Sequence, residues 1–344
     1  MVRKASENKR VTLIDVGREA NVSAITVSRC IREPEKVSPK ARERIEAAIA
    51  RLGYVPDQAA SILASGRTNV VGLIVPSLTN AVFADVIRGI YDALEDSNLS
   101  LQIGNSRYSP TKEEVLIRTF LRQKLSGLIV SGVDQTQSAR SVLAEASCPI
   151  VQIMDIGPDP VGYQIGFSHF DATVAAVEHL IDCGYRKPGL IAARMDPRSQ
   201  ARVAGFRHAT ERHGLHDPAR LVTTQQSSST GLGGQLLSDV LARAPDTDAV
   251  FCINDDLAAG ALFEAQRRSI SVPQHLGICG FNDLEMSAHL NPALTSVATP
   301  RYQIGHRTIE LIRDVLNGGA VDHPRQIHLP TELLVRQTTR RAKR

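Results

Sequence analysis

The spacing of apolar residues predicts three short helices near the start of the chain. Apolar side chains repeat at helical intervals over about 13–20, 24–31 and 39–52. Asn21 lies between the first two helices and tolerates left-handed backbone, while Ser23 is placed to cap the second. The residues expected to face one another are Leu13, Val16, Ala20, Val22, Val27 and Ile31. Two short helices joined by a tight turn predict a helix-turn-helix, which places a helix N-terminus in the major groove of DNA.

From residue 69 onward, short apolar runs alternate with helical stretches of about a dozen residues. Buried strands are expected at 70–75, 99–103, 127–130, 150–154, 189–192, 249–253 and 277–280. This alternation predicts parallel sheets covered on both faces by helices. About 270 residues exceed one such sheet, so we expect two doubly wound lobes with a cleft between them. Ligands in such folds bind at the carboxyl ends of the strands.

Composition and charge distribution support a small polyanion-binding head on a larger body. The 344 residues, 42% hydrophobic, suit two or three domains, and the net charge is +4. Residues 1–69 carry 13 Lys and Arg against 8 Asp and Glu, whereas 70–339 carry 23 against 28. The basic segment therefore favours a nucleic-acid partner for the head. The last five residues are also basic, and we expect them to be a solvated tail.

The cysteine pattern and the absence of long apolar runs indicate the cellular location. Five scattered cysteines, an odd number without a CxxC pair, argue for reduced thiols and against a disulfide framework or a zinc site. No apolar run has the length of a membrane span, and the first residues lack the pattern of a signal peptide. We therefore expect a cytoplasmic protein without membrane association, metal or cofactor.

Several motifs follow one another in the N-terminal segment, at 12–16, 22–23, 26–29, 37–38 and 53–56. Their order and spacing resemble the DNA-binding head of the LacI/GalR family of bacterial repressors. The resemblance implies that the second helix reads the major groove, with Ala24, Ile25 and Arg29 facing base edges. Arg29 can grip guanine O6 and N7, whereas the other two offer only apolar contact, for example with a thymine methyl. Hydroxyls that can bond phosphates, or alternatively cap helices, belong to Thr12, Ser23, Thr26 and Ser28.

The resemblance continues into a hinge. Residues 57–65 have high helix propensity but too little length to hold a helix alone, and in the family this segment folds on operator DNA. Leu63 falls on the position of the leucine that wedges into the minor groove. Asp57 departs from the family, which more often has Asn there. The expected organisation is a head at 1–56, a hinge and linker at 57–69, an effector-binding and dimerisation domain at 70–336, and a basic tail at 337–344.

The body resembles the family's effector domain, which is similar to periplasmic sugar-binding proteins. The matching segments include 76–80, 126–129, 177–180, 204–206, 254–260 and 280–283. Residues on the family's pocket positions are Asn80, Phe83, Arg107, Asp155, Phe167, Arg202, Asn254, Asp256 and Asn282. This set suits a polyol, and Arg107 and Arg202 could hold a carboxylate with two hydrogen bonds. Polar residues at strand ends also cap helices, so Asn254 has that alternative role.

The segments 32–38, 75–80, 82–84, 226–229, 251–258 and 298–301 resemble gluconate-type repressors within the family. This likeness implies a repressor of sugar-acid catabolism genes. It is expected to bind double-stranded operator DNA as a homodimer and to be released by an aldonate such as gluconate or a keto-gluconate. The lack of a heptad pattern at the C-terminus favours a dimer over a tetramer.

Two other classes of function are weighed against this one. An enzyme on the same scaffold has little support, because the sequence contains no GxSxG, GxxxxGK[ST] or HExxH motif and no dinucleotide loop after a strand. No catalytic residue is therefore predicted. A sugar-acid binding protein without a DNA-regulatory role would share the two lobes, but the N-terminal head argues against it.

Overall fold

The computed structural model describes residues 11–32, 34–54, 67–95, 97–319 and 323–341. The chain divides into two units, Met1–Thr68 and Asn69–Arg344. The first contains the predicted head and the second contains both predicted lobes. No helix in the described ranges combines the length and apolar character needed to cross a membrane.

The head contains the three predicted helices. They are α1 (Leu13–Glu19), α2 (Ala24–Arg32) and α3 (Pro39–Leu52), with a short 3₁₀ turn at Pro34–Lys36. Thr12 and Asp15 form a capping box that satisfies free backbone N–H groups at the start of α1. The Ser23 hydroxyl accepts a hydrogen bond from the Thr26 N–H at 3.1 Å, so Ser23 caps α2 as predicted.

The small core of the head differs from the prediction at one position. Its buried members are Val16, Ala20, Val27, Cys30, Ile45, Ala48 and Tyr54. Ile31, which was expected in this core, is 38% exposed, and Cys30 is buried instead. Cys30 follows Val27 by three residues and Ile31 follows it by four. Both spacings lie on one side of a helix, and in α2 it is Cys30 that faces the core.

The first lobe is a parallel six-stranded sheet. Its strands are β1 (Val70–Val75), β2 (Ser100–Asn105), β3 (Gly127–Ser131), β4 (Ile150–Ile153), β5 (Tyr163–Gly166) and β11 (Gln326–His328), in the spatial order β11-β5-β4-β3-β1-β2. The helices of this lobe are α4 (Val82–Leu94), α5 (Pro110–Arg122), α6 (Gln137–Ala144) and α11 (Arg301–Leu316). Helix α5 packs on β1 and α11 on β4 and β5, while α4 packs on α11 and α6 on α5.

The second lobe repeats this design with one antiparallel edge strand. Its strands are β6 (Pro188–Ala193), β7 (Leu221–Thr224), β8 (Ala249–Cys252), β9 (Gly277–Asn282), β10 (Thr295–Ala298) and β12 (Glu332–Leu334), in the order β12-β10-β9-β8-β6-β7. Its helices are α7 (His169–Asp182), α8 (Pro197–Arg212), α9 (Thr230–Arg243) and α10 (Asp255–Arg267), with 3₁₀ turns at Pro218–Arg220 and Glu285–Ala288. Strands β5, β7, β10, β11 and β12 were not predicted, because they are three or four residues long and several carry polar side chains.

The chain passes between the lobes three times. It leaves the first sheet after β5, returns from β10 into α11, and crosses once more between β11 and β12. These crossings join the lobes at one side, so the carboxyl ends of β1, β2, β6 and β8 face a shared cleft, as expected for doubly wound sheets.

Glycines let two helix pairs approach closely. A Cβ on Gly89 of α4 would collide with the Tyr302 carbonyl of α11, and one on Gly305 would collide with the Val86 carbonyl. Helices α9 and α10 meet in the same way, because a Cβ on Gly260 would collide with the Thr230 carbonyl. Each pair therefore packs backbone against backbone.

The boundary of the expected basic tail at 337–344 needs correction. Thr338 and Thr339 are fully buried in the second lobe. The Thr338 hydroxyl accepts from the Thr295 N–H at 2.8 Å, and the Thr339 hydroxyl lies 2.7 Å from the Thr295 hydroxyl. Hydrogen-bonding partners on β10 hold this segment, so the second lobe extends beyond residue 336 to Arg341, whose guanidinium lies over the Tyr185 ring at 5.1 Å.

Candidate functional site

The head presents an exposed surface on α2. The Ile25 side chain is 72% exposed, and Arg29 is also exposed, while Ala24 and Ser28 are half-buried. The structure thus leaves Ile25 and Arg29 free of the head's core.

Three of the four predicted phosphate-binding hydroxyls already take part in hydrogen bonds at helix starts. Thr12 donates to the Asp15 carboxylate at 2.7 Å, and the Ser23 and Thr26 hydroxyls lie 2.9 Å apart. Their roles toward DNA remain predictions, since a capping hydroxyl retains further lone pairs for a second partner. Leu63 lies outside the described residues.

The two lobes enclose a cavity of about 590 Å³ at the carboxyl ends of their strands. Side chains from both lobes line it: Ser77, Thr79, Asn80, Val82, Phe83, Tyr108 and Met154 from the first lobe, and His169, Ala193, Arg194, Asp196, Arg198, Ser199, Arg202, Ser227, Ser228, Ser229, Thr230, Ile253, Asn254, Asp256 and Asn282 from the second. Hydroxyls, amides and guanidinium groups dominate the lining. A cavity of this size and chemistry suits a small polar ligand.

His169 joins the two lobes at the floor of the cavity. Its Nε2 lies 3.0 Å from the Met154 carbonyl, and its Nδ1 lies 3.3 Å from Nε of Arg202. Burial, reinforced by the positive charges of Arg202 and Arg198, lowers the pKa of His169 well below its ordinary value. The imidazole is therefore neutral, with Nε2–H donating to Met154 and Nδ1 accepting from Arg202.

Arg202 is held in place from several directions. Besides its bonds to His169, it donates to the Ile253 carbonyl at the end of β8 and lies 3.9 Å above the centre of the Phe281 ring. Burial lowers the pKa of Arg202 to about 10, so the guanidinium still carries its charge at neutral pH. A fixed, charged fork of this kind is suited to ligand oxygens.

Arg198 connects the second lobe to the first. It donates to the Ser131 hydroxyl at 3.2 Å and forms an ion pair with Asp196 at 3.5 Å. Burial acts to lower the pKa of Arg198, but the charges of Asp196, Asp134 and Asp155 outweigh it and raise the pKa above its ordinary value. Several carboxylates thus compensate this cation.

Arg194 stacks against the opposite lobe. Its guanidinium lies 3.9 Å over the Tyr108 ring, and Nη2 donates to the Ser227 hydroxyl. Such cation–π contacts are favourable, and more so away from water. The contact with Tyr108 spans the cleft between the two lobes.

Three carboxyl groups in or near the cavity have raised pKa values. Burial raises the pKa of Asp256, which lines the cavity. Burial also raises the pKa of Asp155 to about 6 and that of Glu113 to about 7, the latter with a further contribution from the negative charge of Asp134. These groups keep protons more readily than exposed carboxyls do.

Amides at helix starts complete the lining. The Asn80 Oδ1 accepts from the Val82 N–H at 3.0 Å, and its Nδ2 lies 3.4 Å from the Tyr108 hydroxyl. The Asn254 Oδ1 caps α10 through the Leu257 N–H at 3.0 Å, while its Nδ2 donates to Ser228 at 2.8 Å. Asn254 therefore caps a helix and faces the cavity at once.

The structure brings six of the nine predicted pocket residues into the lining: Asn80, Phe83, Arg202, Asn254, Asp256 and Asn282. Arg107 is exposed outside it, because residues 107 and 108 both adopt left-handed backbone, with φ of 54° and 58°, and the turn presents Tyr108 instead. Phe167 is buried beneath His169, with ring centroids 4.5 Å apart. The Asp155 carboxylate accepts from the Ile156 N–H rather than lining the cavity.

Sequence reasoning missed Tyr108, Arg194, Arg198 and the Ser227–Ser229 run as lining residues. A signal was present for some of them. Arg194, Arg198 and Arg202 recur every four residues from the end of the β6 strand into α8, a spacing that keeps the last two on one helix face.

Comparison with known proteins places the chain in a family. Residues 12–57 match the model for bacterial regulatory proteins of the lacI family, and residues 177–339 match a periplasmic binding protein-like domain. The HTH-type transcriptional regulator GntR of Pseudomonas aeruginosa is 39% identical over 330 residues, covering 96% of each chain. The chain belongs to the LacI family.

Solved structures of LacI-family members share the whole fold. A LacI-family regulator from Silicibacter pomeroyi superposes with a TM-score of 0.88 at 34% identity, covering 96% of this chain and 100% of that one. The lac repressor dimer bound to operator and the anti-inducer ONPF superposes with a TM-score of 0.84 at 27% identity, covering 96% and 99%. This LacI-family chain is a DNA-binding transcriptional regulator and not an enzyme.

Proposed function

We propose that this regulator represses genes of sugar-acid catabolism and leaves its operator when an aldonate, such as gluconate or a keto-gluconate, binds the cleft as effector. The observation that carries the effector class is the cavity lining, where three arginines stand among hydroxyl and amide groups. Hydroxyls and amides suit the hydroxyl groups of a polyol chain, and guanidinium suits a carboxylate. Similarity to regulators named GntR and IdnR supports the same proposal.

In the head, we assign direct reading of bases to Arg29, with Ile25 and Ala24 making apolar contacts. The exposure of Arg29 and Ile25 supports this assignment. Arg29→Gln is expected to weaken binding to the selected operator by roughly 10- to 100-fold, as for loss of one guanine contact, with little change on random DNA. Arg44→Gln, on the exposed face of α3, removes the same charge and serves as the control. Equal losses for both variants would exclude base reading by Arg29.

Regulation is proposed to act through the two lobes of a homodimer. Tyr108, Asn80 and Phe83 belong to one lobe and the arginines to the other, so a ligand that contacts both sets favours one arrangement of the lobes. A ligand changes operator affinity only by its differential binding to the two arrangements. In the hinge, Leu63 is proposed to wedge into the minor groove, so Leu63→Ala should weaken specific binding more than nonspecific binding.

The decisive experiment measures operator affinity with and without effector. A DNA site is selected from a random pool with the full-length protein, and its Kd is determined by fluorescence anisotropy at one fixed salt concentration. Gluconate or a keto-gluconate should weaken operator binding, whereas glucose and glucitol should not. An unchanged operator Kd across all the sugar acids would refute the proposed effector class.

A further inference from the structure

The three arginines of the cavity differ in how their charges are compensated. Arg198 forms an ion pair with Asp196, and the charges of Asp134 and Asp155 lie close enough to raise its pKa. Arg202 bonds to the Ile253 carbonyl and to His169, and stacks on Phe281. Both are thus already engaged by the protein around them.

Arg194 is engaged less fully, by one side-chain hydrogen bond to Ser227 and by stacking on Tyr108. Among the described residues, no carboxylate lies within ion-pair distance of its guanidinium, and its side-chain hydrogen bonding is limited to the Ser227 hydroxyl. The side chain is half-buried in the cavity lining. A guanidinium carries five N–H donors, so most of those on Arg194 remain available to a ligand.

The backbone and the neighbours of Arg194 hold it for this use. Its φ of 48° lies in the left-handed region, which is uncommon for a side chain with a Cβ. The Tyr108 ring covers one face of the guanidinium and orients its edge. The cap residue Ser229 starts the 14-residue helix α9 beside it, so the positive end of the helix dipole adds to the field in the cavity.

We propose that Arg194 binds the carboxylate of the effector and thereby selects an acid over the corresponding neutral sugar. This inference rests on the proposed function and deepens it by assigning the charged end of the ligand to one residue. Because Tyr108 stacks on Arg194 from the opposite lobe, an effector carboxylate at this point ties the two lobes together. The hydroxyl chain is left to the amides and to Arg202.

The test compares gluconate with gluconamide, its neutral amide, by isothermal titration calorimetry on the full-length protein. Wild-type protein should prefer gluconate. Arg194→Gln should weaken gluconate binding by roughly 10- to 100-fold, as expected for loss of charge-assisted hydrogen bonds, and leave gluconamide binding within about twofold. Arg207→Gln, which removes the same charge from the exposed face of α8, should leave both affinities unchanged.

Arg194→Lys provides the second variant, since it keeps the charge but loses the planar fork and its stacking on Tyr108. It should retain a preference for the acid at reduced affinity, with an unaltered thermal unfolding temperature. Undiminished gluconate binding by Arg194→Gln, or equal losses of gluconate and gluconamide, would overturn the role of Arg194 while leaving the effector class intact. Failure of the wild-type protein to bind gluconate or a keto-gluconate would instead reject the proposed effector and this assignment together.

Discussion

Replacing His169 with leucine tests whether its neutral imidazole both links the two lobes and positions Arg202. His169 is buried, and it bonds to Met154 at the end of β4 and to Arg202 on α8. Leucine fills a similar volume but offers neither a donor nor an acceptor. The variant therefore removes the hydrogen bonds to both partners without opening a large cavity.

The expected loss follows from the partners left behind. The Met154 carbonyl would stay buried without its donor, which costs about 1–3 kcal/mol. Loss of the bond from the charged Arg202 costs about 1.5–3 kcal/mol, reduced because Arg202 keeps Ile253 and Phe281 as partners. We expect His169→Leu to lower the free energy of unfolding by about 3 kcal/mol and to weaken effector binding, since Arg202 loses one of its supports.

Denaturant and thermal unfolding measure this effect, and a loss of about 3 kcal/mol corresponds to a fall in Tm of roughly 5–10 °C. His213→Leu, at an exposed position after α8, is the control and should change stability by less than about 0.5 kcal/mol. Because the folded state holds His169 neutral, its stabilisation is lost as pH falls below the ordinary pKa of 6.5. The difference in the free energy of unfolding between wild type and His169→Leu should therefore be smaller at pH 5 than at pH 7, by up to about 2 kcal/mol. The reasoning would be refuted if the two proteins had the same free energy of unfolding at pH 7, or if the difference between them did not change with pH.

Three further outcomes are expected. Ser23→Ala removes the cap of α2 and should destabilise the head by about 1 kcal/mol, seen as weaker binding to both specific and random DNA. Gly260→Ala should destabilise the second lobe by several kcal/mol because its Cβ meets the Thr230 carbonyl, whereas Gly231→Ala, with open space around it, should be neutral or stabilising in thermal unfolding. Burial raises the pKa of Asp255 to about 6, so its contribution to stability is full below pH 3.8 and lost as pH rises through 6. Wild type should thus lose stability relative to Asp255→Asn between pH 4 and pH 7, and the opposite slope would contradict this.

Local patterns decided much of the fold before any tertiary contact was considered. Helices α1, α2 and α3 follow from apolar spacing, from the cap residues Thr12 and Ser23, and from Gly53, whose φ of 60° ends α3. The long buried strands were equally readable, because a strand covered on both faces is a continuous apolar run. The short strands β5, β7 and β10–β12 were not, since their residues gain order from neighbouring strands rather than from their own pattern.

The lining of the cleft could likewise be predicted only in part from the sequence. The order of motifs placed Asn80 and Asn254 at strand ends and Arg202 in a following helix, and parallel sheets bring strand ends to one edge. Which side chain of a turn enters the cavity depends on backbone dihedrals. Only the structure could therefore show that Tyr108, and not Arg107, lines the cavity. The charge state of the site likewise needed three dimensions, because the partners of Arg194 and Arg198 come from distant parts of the chain.

The sequence by itself determined that a DNA-binding head precedes a two-lobed body, because helical and strand periodicities, caps and motif spacing are local properties of the chain. Only the tertiary structure decided that His169 is neutral, that Arg198 is compensated and that Arg194 is not. Burial and electrostatic interaction depend on distances between residues far apart in sequence, and the packing of the two lobes sets those distances.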